Sequence, residues 1–401
     1  MTIRILAIAD SDSYLKWACA TLDSLRSGLD AEFERTAVVI RTPIAPSESQ
    51  IAAAVVGTAI VRPALVSRRE LRRLLHEVRP DVVVIAATGP VAEMVARDVV
   101  TASGRRRPAL LSGLPGMALP ATELGTGYRR WTDAFVVHSL REAQAYRDGF
   151  ARHGVNPRLV LARLPFLADA AHRVRQPVER ILFAAQALVP PERSERVALL
   201  DGLARTAATG LDVVVKLRAR AGERQTHNEA FPLDALWEAE HARLGHDQQA
   251  VRFVDGPMAE WLEPGTALVT VSSSAALESL ALGLPTVVLD DFGVTEELLN
   301  APFAGSGCVG SLADLPELLR AGGPDPEPEW LRENYLHTSR SELPEALREL
   351  AEQSRDQTVR DLGGVEPLSR VGYLRTVARS LVPGTIARRL VRPVRPVRPV
   401  G

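Results

Sequence analysis

The chain is poor in cysteine, in lysine and in long apolar runs, and it has no excess of either charge. Of its 401 residues only Cys19 and Cys308 are cysteines. Two thiols so far apart build neither a disulfide framework nor a cysteine zinc site, so a cytoplasmic compartment is expected. No stretch reaches the roughly 20 apolar residues that span a bilayer. Met1 to Asp10 run straight into an alternating apolar segment without a basic n-region or cleavage site, so no secretory signal is expected. The 48 basic and 49 acidic side chains leave a net charge of -1. Nucleic acid is therefore not an expected partner, because neutralising its phosphates takes an excess of Lys and Arg. Lys16 and Lys216 are the only lysines, and arginine supplies the rest of the basic charge.

Two nucleotide motifs are also missing. Neither a Gly-x-Gly-x-x-Gly turn nor a Walker lysine motif follows the first apolar run, which leaves a nicotinamide dehydrogenase and a P-loop nucleotidase unsupported. No paired His, Asp or Glu spacing indicates a metal site, and no cofactor is implied.

What the chain does contain is a globular composition, 46% hydrophobic and 24% charged. At about 100–200 residues per domain the length suggests two domains. Apolar, β-rich runs at Ile3–Ala9, Thr36–Arg41, Asp81–Ala87, Pro108–Leu111 and Ala134–His138 alternate with helical stretches, the pattern of a parallel sheet covered by helices. A second series follows at Ile181–Ala184, Leu211–Lys216, Ala250–Val254, Ala267–Val271 and Thr286–Asp290. The reading is an α/β protein of two doubly wound domains facing a central cleft, with ligands at the strand C-termini. Residues 1–165 form the first domain, 166–179 a linker and 180–323 the second domain. Residues 324–383 follow as C-terminal helices and 384–401 as a basic, Pro-rich tail.

From Pro367 to Gly401 there are eight arginines and no acidic residue. Such a tail is either a disordered, solubilising end or a segment drawn to an anionic membrane surface. Both readings stay open here.

The most informative stretch is ALVTVSSSAALESLALGLPTVVLDDFG, Ala267 to Gly293. A buried strand runs into Ser272, Ser273 and Ser274, and a helix starts at once. Serines there can cap backbone N–H groups, and the same groups can hold a phosphate. Glu278 lies one turn into the helix, five residues before Gly283-Leu284-Pro285. This element resembles the donor-binding domain of GT-B glycosyltransferases, in which a Ser- or Gly-rich turn binds the donor phosphates. By that resemblance Ser272, Ser273 and Ser274 meet phosphate, Glu278 reads the ribose hydroxyls, and both domains are Rossmann-like. It also makes the loop after the strand in RILFAAQALVPPERSER border the donor, which brings in Gln186 and Arg193.

A second constellation is VVVKLRARAGERQTH, Val213 to His227. Its strand ends in Lys216, with Arg218, Glu223 and His227 following. Lys216 and Arg218 suit donor phosphates, and His227 suits a phosphate or leaving group. In transferases of capsule and teichoic-acid assembly a Lys-x-His-Pro segment occupies a comparable strand end, and Leu217-Arg218 replaces its His-Pro here.

In the first domain the strand Ile3–Ala9 leads into Asp10, Ser11, Asp12 and Ser13. Asp10 or Asp12 suits a general base on an acceptor hydroxyl, and Lys16 suits an anionic acceptor. His138, which closes another strand, is a base candidate or a helix-cap neighbour. Ser13, Gly89, Gly113 and Gly116 complete the acceptor-side set, since glycine permits close approach of a ligand.

Taken together, ADSDSYLKW, KLRARAGERQTH and the Ser-rich element are similar to a group of actinobacterial glycosyltransferase-like proteins. They are more distantly similar to capsule, polysialic-acid and teichoic-acid transferases. The resemblance implies a metal-independent transfer from a nucleotide-sugar donor to a glycan or lipid-linked acceptor, in the cytoplasm or at the inner face of the plasma membrane. Two rivals are a nucleotide-sugar 2-epimerase, which shares the architecture, and a non-catalytic nucleotide-binding scaffold.

Overall fold

The computed structural model describes residues 2–25, 33–104, 106–167, 176–217, 229–362 and 364–381. They fall into two compact units. One is Met1–Pro165 with the chain from Ser339 onward, and the other is Phe166–Thr338.

The first unit alternates strand and helix: β1 (Ile3–Ala9), α1 (Asp12–Ser24), β2 (Phe33–Ile40), α2 (Glu48–Ala54), β3 (Ala64–Val66), α3 (Arg68–Val78), β4 (Val82–Ala86) and α4 (Gly89–Ser103). Then come β5 (Ala109–Ser112), α5 (Glu123–Gly127), β6 (Ala134–Val137), α6 (Leu140–Ala151) and β7 (Arg158–Leu161). The sheet is parallel, in the order β3-β2-β1-β4-β5-β6-β7.

Both faces of this sheet are covered, which is why its central strands are almost wholly apolar. In β1, Ile5, Ala7 and Ala9 enter the core on the α1 side, while Leu6 and Ile8 enter the core that α3 and α4 cover. Helix starts are set by local chemistry. Ser47 with Gln50 and Ser67 with Glu70 form reciprocal capping boxes at α2 and α3. Arg79, in the left-handed region at φ 46, ends α3 ahead of Pro80.

The second unit repeats the scheme with β8 (Arg180–Ala184), α7 (Arg193–Ala207), β9 (Asp212–Lys216), α8 (Leu233–Glu240), β10 (Arg252–Val254), β11 (Thr266–Thr270) and α9 (Ala275–Ala281). It continues with β12 (Thr286–Leu289), β13 (Val309–Gly310), α10 (Leu315–Arg320) and α11 (Pro328–Glu333). Its parallel sheet runs β10-β9-β8-β11-β12-β13. In each sheet the chain winds outward in both directions from a central strand. The strand order therefore reverses between β1 and β4, and again between β8 and β11.

Two features depart from the sequence reading. The short strands β3, β7 and β13 are absent from the sequence reading: they have three, four and two residues, too few to show a period. The C-terminal helices α12 (Leu343–Asp356) and α13 (Arg370–Leu381) belong to the first unit and form no separate segment. Leu343, Leu347 and Leu350 of α12 join the β1–α1 core. Arg355 clamps the buried Asp81 with two hydrogen bonds, at 2.9 and 2.8 Å. Among the described residues no helix is long and apolar enough to cross a membrane.

Candidate functional site

In an open parallel sheet the ligand crevice lies past the strand C-termini where the order reverses. In the second unit the relevant ends are those of β8, β9 and β11. Ala184 pairs with Lys216, and Phe183 with Val269, so Gln186, Lys216 and Ser272 emerge side by side.

The three ends are tied together. Oε1 of Gln186 accepts hydrogen bonds from the backbone N–H and the hydroxyl of Ser272, both at 2.9 Å. The Thr270 hydroxyl donates to the Ala184 carbonyl at 3.0 Å and accepts from the Ser273 N–H at 3.1 Å. The Ser273 hydroxyl in turn accepts from the Ala275 N–H, at 3.2 Å. Ser272 thus spends both donors on Gln186 and Ser273 closes the turn into α9, whereas the Ser274 hydroxyl makes no cap bond. The three serines expected to meet phosphate thus play different parts in the turn.

Lys216 and Glu278 supply the charge. Burial pushes the Glu278 carboxyl above its ordinary pKa, and the nearby positive charge of Lys216 pulls it back down. Both residues are half-buried, and Nζ of Lys216 also donates to the Leu217 carbonyl at 3.1 Å. A cation at the end of β9 and a carboxylate in the first turn of α9 suit a ligand that is anionic at one part and rich in hydroxyls at another.

Arg218, Glu223 and His227 lie outside the described residues. Arg193 opens α7 and is drawn to α8, where it pairs with Glu240 at 2.5 Å. The arginine that shapes this edge is Arg196, which sequence reasoning missed. It is fully buried and donates to the carbonyls of Pro190, Gln186, Ala187 and Phe231 and to the Glu229 carboxylate. It fixes the loop that presents Gln186. Nothing in ERSER distinguishes it from its exposed neighbour Arg193.

The first unit has an analogous edge. Oδ2 of Asp10, at the end of β1, accepts from the N–H of Thr88 at 3.1 Å and from its hydroxyl. Asp10 is fully buried, its Oδ1 has no partner, and burial raises its pKa. Arg129 lies close by, donating to the Tyr14 hydroxyl at 2.9 Å and the Ala87 carbonyl at 2.8 Å. Asp10 therefore positions Thr88 and is out of reach of an acceptor. Asp12 is the partly exposed carboxylate of the pair. It stands in the first turn of α1, 2.9 Å from Lys16, with Ser13 exposed beside it.

His138 does not face solvent. Trp17 Nε1 donates to its Nε2 at 2.9 Å, and its Nδ1 meets the Ala162 carbonyl at 2.9 Å. With one nitrogen accepting and the other donating the ring is neutral, and burial lowers its pKa to about 4. It is a core residue and not a base. Two of the acceptor-side glycines are also claimed by packing. A Cβ on Gly113 would meet the Trp17 ring at 2.6 Å, and one on Gly89 the Tyr128 ring at 2.5 Å. Gly116 serves a turn at φ 91. A cavity of about 400 Å³ opens beside Arg4, Arg79, Asp81 and Arg106, at the N-terminal ends of the strands and so opposite the ends that carry Asp10 and Thr88. Among the described residues there is no cluster of three or more metal-ligating His, Cys, Asp or Glu side chains.

Solved structures share this architecture at low identity. The chain is similar to a protein from Listeria monocytogenes described as "putative UDP-N-acetylglucosamine 2-epimerase", at 12% identity and a TM-score of 0.53, over 94% of this chain and 95% of that one. It is similar to S. aureus MnaA with UDP, at 11% identity and a TM-score of 0.53, over 91% and 100% of the two chains. Phytolacca americana UGT2 complexed with UDP-2-fluoro-glucose and pterostilbene aligns at 12% identity and a TM-score of 0.50, over 88% and 95%. Against curated protein sequences the chain has no match. These structures share the GT-B fold, two Rossmann-like units each built on a parallel sheet. The model of one family matches residues 5–350, and on that match the chain belongs to the family described as "Putative glycosyltransferase (DUF6716)".

Proposed function

We propose that the protein transfers a sugar from a nucleotide-activated donor to a glycan or lipid-linked acceptor of the cell surface, with the donor held by the second unit. The observation that carries this reading is the placement of Lys216, at the end of β9, and Glu278, in the helix that follows β11, beside the Gln186–Ser272 lock where the second sheet reverses its order. Lys216 meets the donor phosphates, Glu278 accepts from the ribose hydroxyls, and the Ser274 side of the turn faces the phosphate. Binding of UDP or a UDP-sugar by structures of the same fold is consistent with this assignment.

In the transfer, an acceptor hydroxyl attacks the anomeric carbon and the bond from that carbon to the donor phosphate oxygen breaks. The electron pair leaves with the nucleotide, whose growing negative charge Lys216 stabilises. The hydroxyl's proton passes to a carboxylate, and Asp12 is the residue of the first unit suited to take it. Lys16 beside it holds the carboxylate in place or meets an anionic acceptor. The proposed step draws its positive charge from side chains and calls on no metal.

The first test is the thermal stability of the whole chain with UDP, GDP, CDP, CMP or TDP. A ligand at a hundred times its dissociation constant adds about 2.7 kcal/mol. One nucleotide is expected to stabilise the wild type, and Lys216→Met with Glu278→Gln to abolish that response without altering the unliganded midpoint. Silence toward all five would remove the donor site. Turnover of a nucleotide sugar to its epimer without acceptor would replace transfer by epimerisation. Binding with no turnover, indifferent to Asp12→Asn, would leave a scaffold.

A further inference from the structure

Helix α13 is amphipathic in the wrong sense for a helix facing only water. Tyr373 and Val377 turn inward and pack on the core beside α4, with the Arg97 guanidinium 4.3 Å above the Tyr373 ring. The outward face is apolar: Val371 is 60% exposed, Leu374 64% and Leu381 71%. With about 3.6 residues per turn these three share one stripe, and the exposed Ala378 falls between them. Arg370 borders the stripe on one side, and Arg375 and Arg379 on the other.

A solvated helix reverses this arrangement, with charge at the centre of its outer face. An apolar centre between cationic margins suits a helix lying in a bilayer interface, where the apolar side chains enter the acyl boundary and the arginines meet headgroup phosphates. The sequence around it supports one kind of bilayer. From Pro367 to Gly401 there are eight arginines and no Asp or Glu, and five of those arginines follow Leu381. The whole chain has a net charge of -1, so this positive charge is local and not a general property.

We propose that the outer face of α13 is a docking surface for an anionic membrane. The occupant is a lipid bilayer rich in acidic headgroups. A protein partner would not need eight like charges in a stretch without a single acid, and nucleic acid would not need the apolar stripe. The inference goes beyond the donor site and does not depend on it.

Sedimentation of the full chain with vesicles tests it, with no nucleotide present so that the outcome is independent of the transferase reading. Vesicles of equal parts phosphatidylcholine and phosphatidylglycerol are expected to carry the wild type down, and vesicles of phosphatidylcholine alone to leave most of it in solution. Val371→Glu with Leu374→Glu is expected to weaken binding at least about tenfold. Arg370→Ser with Arg375→Ser and Arg379→Ser loses roughly fivefold for each arginine that reaches the surface. The substituted side chains are exposed, and an unchanged melting midpoint checks that the fold survives. Equal binding to both vesicle types, or wild-type binding by the Val371→Glu, Leu374→Glu chain, overturns the proposal. So does a concentration-dependent dimer that this variant abolishes, since the stripe would then be an interface between two copies.

Discussion

Gln186 and Ser272 meet at the reversal of the second sheet, where one amide oxygen takes both the N–H and the hydroxyl of the serine at 2.9 Å each. Asp10 and Thr88 make the same contact at the reversal of the first sheet, again through one oxygen accepting from both the N–H and the hydroxyl. In each unit the two strands are paired neighbours, and the crevice opens because the connections that follow them leave toward opposite faces of the sheet. A side-chain acceptor on the first strand's loop pins the second strand's loop, so the crevice keeps its shape before any ligand arrives.

The lock in the second unit can be removed cleanly. Gln186→Ala leaves the N–H and hydroxyl of the buried Ser272 without their acceptor, and about 1–3 kcal/mol of stability is expected to go with it. Gln186→Glu keeps an acceptor oxygen and is expected to lose less. Urea unfolding of the three chains measures both. If Gln186→Ala unfolds at the wild-type midpoint, the bond does not hold the edge together.

Much of this architecture is written in local patterns. Short, Val-rich runs such as VVVIA in β4 and DVVVK in β9, bounded by turn residues, read as buried parallel strands, and the strand ends at Asp10, Gln186, Lys216 and Ser272 follow from them. What the sequence conceals is which polar groups the fold consumes. Asp10 and Asp12 read alike two residues apart, yet one is sealed beneath Thr88 and the other stands on the surface of α1. Arg193 and Arg196 read alike within one turn, yet only Arg196 turns inward to gather four carbonyl groups. These outcomes depend on partners far away in the chain, as does the return of α12 to the first unit's core.

Gly113 separates packing from ligand access. A methyl group there would sit 2.6 Å from the Trp17 ring, which is buried and held by its bond to His138. Gly113→Ala forces the indole or the strand end to move, and overpacking of this kind costs about 1–3 kcal/mol. A lower unfolding midpoint is expected, with the nucleotide affinity of the folded fraction unchanged. A loss of acceptor affinity at unchanged stability would return Gly113 to the acceptor site.

His138 gives the fold a pH dependence of known sign. Its pKa falls from 6.5 to about 4 on burial, so the unfolded chain binds the proton that the native ring refuses. The stabilisation is complete above pH 6.5 and is lost as the pH drops toward 4, a change on the order of 3 kcal/mol over that window. Asp10 acts in the opposite direction, because its raised pKa makes the native state hold a proton more tightly as the pH rises past 3.8. The two effects overlap in the wild type, and comparison with His138→Gln separates them. Glutamine still offers an acceptor to Trp17 and a donor to the Ala162 carbonyl but does not titrate, while Asp10 is common to both chains. The stability difference between wild type and His138→Gln is expected to shrink as the pH falls from 6.5 to 4. A constant difference across that range would mean that the ring is not held neutral between Trp17 and Ala162.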